Sequence, residues 1–285
     1  MFWLESPCSC FVHISGHIMR APDHQQRLAA LRDTIADIER KPALAETRAK
    51  SFGDKDGRFP KLAGGLLQEI FTDAVRNGGA SLGFAFGQAK TLLSAKRVAV
   101  LYLQLANDGQ FFGLPYGPGL LSFGFDPSRL LIVRVSEMRE LLWVAEEALA
   151  CRAVAGIVAD IGGDPDPLDF TASRRLSLRA VEAGTSLFLL RYGKERQASA
   201  AHLRWHLAPQ RSGRQPFDER APGPPRWALT LEKGVSLNQQ TQFLLEWTED
   251  GFATIPAEPG RKSRNGAPVP LALPAQLANG LFQTA

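Results

Sequence analysis

Residues 154–191 read VAGIVADIGGDPDPLDFTASRRLSLRAVEAGTSLFLLR, and their pattern decides the fold. Val154–Ile161 is a nearly unbroken apolar run, as expected of a strand buried on both faces. Leu168–Ala183 then carries apolar residues at helical spacing, and Gly184 stands where a left-handed residue ends a helix. Thr185–Arg191 is a second apolar strand. Strand, helix, strand at these lengths is one β-α-β unit, which implies parallel pairing in a sheet covered by helices.

The alternation continues outward from this unit. Upstream, Leu66–Phe71 reads as a strand, Ala80–Leu93 as a helix and Val98–Leu105 as a buried strand. Gly117–Phe123 predicts a short helix, Leu130–Val135 another buried strand and Met138–Ala150 a helix. Downstream the pattern changes: Ala200–Ala208, Arg226–Leu231 and Phe243–Trp247 are short strands with no helices between them. The expected class is α/β, a mostly parallel sheet flanked by helices, with an antiparallel hairpin extension near the C-terminus.

Around this core, residues 1–21 lack a basic run before an apolar one and read as disordered or as an over-called start, Met19 preceding a natural helix start. Residues 22–41 form an amphipathic helix with Leu28, Leu31, Ile35 and Ile38 on one face, suited to packing against a second copy in a homo-oligomer. Residues 42–61 read as a linker, 62–255 as the core and 256–285 as a disordered tail rich in Pro, with Arg261, Lys262 and Arg264 and no acid after Glu258.

Composition sets the outer bounds. Over 285 residues, 45% hydrophobic and 22% charged content exclude a chain disordered from end to end. No apolar run approaches the ~20 residues that span a bilayer, so no membrane association is expected. Three cysteines (Cys8, Cys10, Cys151) make no disulfide framework and favour a reducing cytoplasm. A net charge of +4 is too small to argue for nucleic acid by itself.

A sheet of this kind binds ligands at the carboxyl ends of its strands, where a phosphate loop would read G-x-x-x-x-G-K-[ST]. The corresponding turn, Thr72–Ser81, reads TDAVRNGGAS: Gly78, Gly79 and Ser81 are in place and the Lys is missing. Gly87-Gln-Ala-Lys90-Thr91 has similar letters at the wrong spacing inside a helix. Asp160 ends its strand where a magnesium-holding acid would sit, although a carboxylate capping the next loop is the simpler reading. Without the Lys, this is a degenerate nucleotide site with no cofactor. His202 and His206 share a strand face with no carboxylate evident beside them, and Cys8, Cys10, His13 and His17 match no zinc spacing, so no metal site is expected. No nucleophile elbow and no Cys–His pair stand out, so no catalytic residue is assigned.

Two features suggest binding instead. Arg174, Arg175, Arg191, Lys194, Arg196 and Arg204, with Trp205, are candidate DNA contacts, against the plainer reading of a solvated helix face and a core Trp. Gln276-Leu277-Ala-Asn-Gly-Leu281-Phe282 resembles the short peptides that dock on the bacterial sliding clamp, with Gln276 held by polar groups and Leu281 and Phe282 in an apolar pocket.

One family resemblance runs through these segments. Gly64-Gly65-Leu66, Leu101-Tyr102-Leu103 and Gly117-Pro118-Gly119-Leu120 begin it. Phe125-Asp126-Pro127-Ser128-Arg129-Leu130-Leu131 and Trp143-Val144-Ala145-Glu146-Glu147-Ala148-Leu149 continue it. Leu168-Asp169-Phe170-Thr171-Ala172-Ser173-Arg174-Arg175-Leu176, Arg204-Trp205 and Leu245-Glu246-Trp247 complete it. Together they resemble the ImuA proteins, accessory factors of bacterial damage-induced mutagenesis. The resemblance implies a RecA-like core and a role in SOS-induced translesion synthesis. It implies as partners an ImuB-like relative of Y-family polymerases and an error-prone DnaE-type polymerase, with RecA, the sliding clamp and DNA as further candidates. It carries over no catalytic residue. A non-catalytic assembly factor is therefore the leading expectation; the alternatives are a RecA-like DNA-dependent ATPase and a cell-division inhibitor of the SulA type.

Overall fold

The computed structural model describes residue 59 and residues 61–108, 113–162, 167–215, 217–218, 221–234 and 241–256. The expected N-terminal helix and the Gln276–Phe282 motif lie outside them. The described residues form one nine-stranded sheet with strand order β3-β2-β4-β5-β1-β6-β7-β8-β9. In chain order the elements are β1 (Leu67–Thr72), α1 (Gly78–Lys90), β2 (Ala99–Leu105), α2 (Gly117–Ser122), β3 (Leu130–Val135), α3 (Met138–Ala150), β4 (Val154–Ile161), α4 (Phe170–Ala183) and β5 (Ser186–Tyr192), then β6 (Leu203–Gln210), β7 (Arg226–Lys233), β8 (Gln242–Thr248) and β9 (Gly251–Thr254). From β3 through β6 all neighbours are parallel; β6 to β9 form an antiparallel meander.

The α/β class and the antiparallel extension are as expected, and β3, α3 and β4 have the predicted bounds. Three details differ. First, β3 is one of the two edge strands of the described sheet: Leu131 is 54% exposed and Ile132 42%, so its apolar run is not the mark of a buried strand. Second, β6 joins the sheet parallel to β1 before the antiparallel extension begins, and β9 adds a strand the sequence reading did not foresee. Third, Phe59, assigned to the linker, is buried, and its N–H donates to the Phe252 carbonyl at 3.2 Å.

Two apolar layers sandwich the sheet. On one face α3 and α4 cover Leu67, Leu103, Ile157 and Leu189. On the other face α1 and the meander close over Ile70, Tyr102, Val158 and Leu190 with a set of aromatic rings, among them Phe84, Trp205, Trp227, Trp247 and Phe252. The small residues of α1 allow this close approach. A methyl group on Gly87 would lie 2.5 Å from Phe252 Cζ and 2.9 Å from Trp247 Cζ3. Asp169 caps α4, its carboxylate accepting from the Ala172 N–H at 2.7 Å, and Gly184 ends it at φ 66°. No described helix is long and apolar enough to cross a membrane.

Candidate functional site at the carboxyl edge of the sheet

Strand alternation places one row of polar side chains beneath the start of α1. Leu66, just before β1, and Ile70 within it face the α1 layer, so Thr72 does too; the same parity puts Tyr102, Gln104, Asp160 and Tyr192 on that face. Gln104 is in register with Asp160, and Thr72 with Tyr192. The row therefore crosses four adjacent strands, β2, β4, β5 and β1.

Asp160 is its centre. It is 3% exposed, and both carboxylate oxygens are engaged: Tyr192 donates to Oδ1 at 2.7 Å and Tyr102 to Oδ2 at 2.8 Å. Gln104 in turn donates to the Tyr102 hydroxyl at 3.1 Å and to the Gly113 carbonyl at 3.0 Å. Burial raises the Asp160 pKa, and nearby Asp108 adds to this; the two phenol hydrogen bonds oppose it without prevailing. Both phenols are held protonated, through burial first and then through the adjoining carboxylate. Asp160 is thus engaged across the sheet by two phenols, partners the sequence reading did not foresee.

The remaining members of the degenerate site are brought alongside. A methyl group on Gly78 would lie 3.1 Å from the Tyr192 hydroxyl, so that phenol sits against the first residue of α1. Gly79 faces open space. Ser81 is fully buried, and its hydroxyl and that of Thr72 have no partner among the described residues. The described residues here do not match the nucleotide site that the sequence reading compared them with: Asp160 is held by two phenols, a phenol lies where a helix start would meet a phosphate, and Arg76, the one cation of residues 72–81, is exposed. The two tyrosines escaped the sequence reading of the site because a lone Tyr within or at the end of a strand carries no motif. The parity of apolar runs on neighbouring strands was the available signal.

The candidate DNA contacts are scattered among internal partners. Arg175 and Arg179 both pair with Glu146 across α3 and α4. Arg196 binds Glu232 at 2.9 and 3.2 Å, and Arg204 binds the buried Glu69 at 2.8 Å. Arg191, Arg196 and Arg204 converge on the Phe71 ring at 5.6, 4.1 and 5.4 Å. Arg174 and Lys194 are exposed. Trp205 is buried, its indole donating to Gln68 at 3.0 Å, so it is a core residue and no stacking platform. Every charged pair here spans strands or helices distant in sequence, so composition alone could not reveal it.

His202 and His206 serve separate local roles. The Leu67 N–H donates to His202 Nδ1 at 2.9 Å, and Ser177 lies 3.2 Å from Nε2; burial lowers this imidazole's pKa. His206 has a carboxylate neighbour after all, Asp73 at 3.0 Å, which the sequence reading lacked. No group of three or more potential metal ligands occurs among the described residues.

No family model matches the chain. Two curated relatives, from two strains of Caulobacter vibrioides and both named Protein ImuA, are 33% identical to it over 205 residues. The aligned region is 66% of this chain and 79% of each relative.

Proposed function

The chain belongs to the ImuA family, and on that premise we propose that it is a non-catalytic assembly factor with a RecA-like core, acting in SOS-induced translesion synthesis and mutagenesis. The observation that carries the non-catalytic part is Asp160, whose two oxygens are both taken by the phenols of Tyr102 and Tyr192, with Tyr192 against Gly78. Phosphoryl transfer needs a free carboxylate for magnesium and a cation for the terminal phosphates. Among the described residues Asp160 is taken up by two phenols and Arg76, the one cation of residues 72–81, is exposed, which supports the reading. Its partners are an ImuB-like polymerase relative and an error-prone DnaE-type polymerase, with RecA, the sliding clamp and DNA as further candidates, in the cytoplasm.

Two measurements test the reading. ATP turnover with and without single-stranded DNA should stay at background. Affinity capture from DNA-damaged cells should recover polymerase subunits. DNA-stimulated turnover that disappears in Asp160→Ala would replace the assembly role with an ATPase. Capture of the division protein FtsZ in place of polymerases would replace it with a division inhibitor.

A further inference from the structure

Of the four described tryptophans, Trp205, Trp227 and Trp247 are buried, and Trp143 is 64% exposed. It lies on α3 one turn from Arg139, so the two side chains are neighbours on the helix surface. Arg139 has no hydrogen-bond or ionic partner among the described residues, unlike Arg175 and Arg179, which share the single carboxylate of Glu146. Beside them is an open cavity of about 480 Å³ lined by Arg139, Leu142, Pro167 and Arg175. Among the described residues its lining combines two guanidinium groups with an apolar floor and no carboxylate. On α4, Leu178 is 62% exposed one turn beyond Arg175.

We propose that the α3–α4 face, with Arg139, Trp143 and the cavity between Arg139 and Arg175, is the docking site for an acidic peptide segment of a partner protein, one that sets a carboxylate beside an apolar side chain. The occupant follows from charge and shape. Guanidinium groups hold carboxylates through paired N–H donors. Leu142 and Pro167 offer the apolar floor, and an exposed Trp flanked by Arg is the composition in which interface energy concentrates. The inference rests on the assembly-factor reading and assigns it a surface. That surface lies on the α3–α4 side of the sheet, opposite the face that carries the Asp160 row, so the two fail separately: ATP turnover would refute the reading above and leave this groove standing.

The test selects peptides from a random displayed library against the full chain. The expected binders are enriched in Asp or Glu next to Leu, Phe or Trp. Their affinity should fall about tenfold or more in Arg139→Glu and in Trp143→Ala, while Arg152→Glu leaves it unchanged. All three positions are exposed, so melting temperatures should match the parent. Binders without acidic enrichment, or affinities indifferent to Arg139 and Trp143, would overturn the proposal. A dimer in sedimentation that Trp143→Ala disperses would assign the face to a second copy and overturn it equally.

Discussion

Replacing Asp160 separates its charge from its shape. In Asp160→Ala both the Tyr102 and Tyr192 hydroxyls lose their acceptor inside the fold. Each buried orphan costs about 1–3 kcal/mol, so the loss should be about 2–6 kcal/mol. Asp160→Asn keeps the shape and one acceptor oxygen, and it removes a buried charge; the two effects oppose, so the change at neutral pH should be about 1 kcal/mol or less. The pH dependence is sharper. The folded carboxyl holds its proton above the ordinary value of 3.8. Between that value and its raised folded pKa, the folded state binds more protons than the unfolded one, so stability falls as pH rises through the window. Asp160→Asn lacks this slope. Urea denaturation of parent and Asn variant across about pH 4–8 should show the Asn variant gaining on the parent as pH rises. A gap moving the other way, or an Ala variant as stable as the parent, would refute the burial argument.

Four further outcomes are expected. Gly87→Ala should destabilise by about 1–3 kcal/mol through overpacking, whereas Gly79→Ala, facing open space in the same helix, should stabilise by about 0.4–1 kcal/mol; thermal melts of the pair decide this. Because the folded pKa of His202 lies below the ordinary 6.5, its contribution is present above that value and lost as pH falls, a slope that denaturation midpoints should show and His202→Gln should flatten. Arg204→Ala should cost about 3–5 kcal/mol by stranding the buried Glu69, while exposed Arg174→Ala stays within about 0.5 kcal/mol; any DNA-binding loss in the former must therefore be read against its melting curve. A peptide of residues 270–285 should bind the sliding clamp in the micromolar range and lose binding in the Leu281→Ala/Phe282→Ala form, as isothermal titration would show.

The parts of the fold legible in sequence are those set by local periodicity. The run Val154–Ile161, the helical spacing up to Ala183 and the stop at Gly184 all depend on residues near one another. The exposure of β3 was not legible, because Leu130–Val135 looks the same whether a strand lies in the middle of a sheet or at its margin, and strand order is a long-range property. The same limit applied to the site. Gly78, Gly79, Ser81 and Asp160 were found by their positions in the chain. What engages Asp160, Tyr102 and Tyr192, sits 58 and 32 residues away and comes beside it only when β2, β4 and β5 pair. The arginines went the same way: their number was visible, but Glu69, Glu146 and Glu232 as partners were not.

The position of β1 has a consequence for how the chain is made. It is the first described strand in sequence yet lies between β5 and β6, pairing Leu67 with Leu187 and Gln68 with Leu203. At synthesis rates of about 5–20 residues per second, the 120 residues separating Leu67 from Leu187 (187 − 67) take roughly 6–24 s to follow it. For that interval the apolar strand has no hydrogen-bonding neighbour on either edge, and α1 has no finished surface to cover. Non-local pairing of this kind is slow to form and prone to association with other chains. Translation speed and chaperone supply are therefore expected to govern the yield of folded protein more than any single contact in the completed sheet.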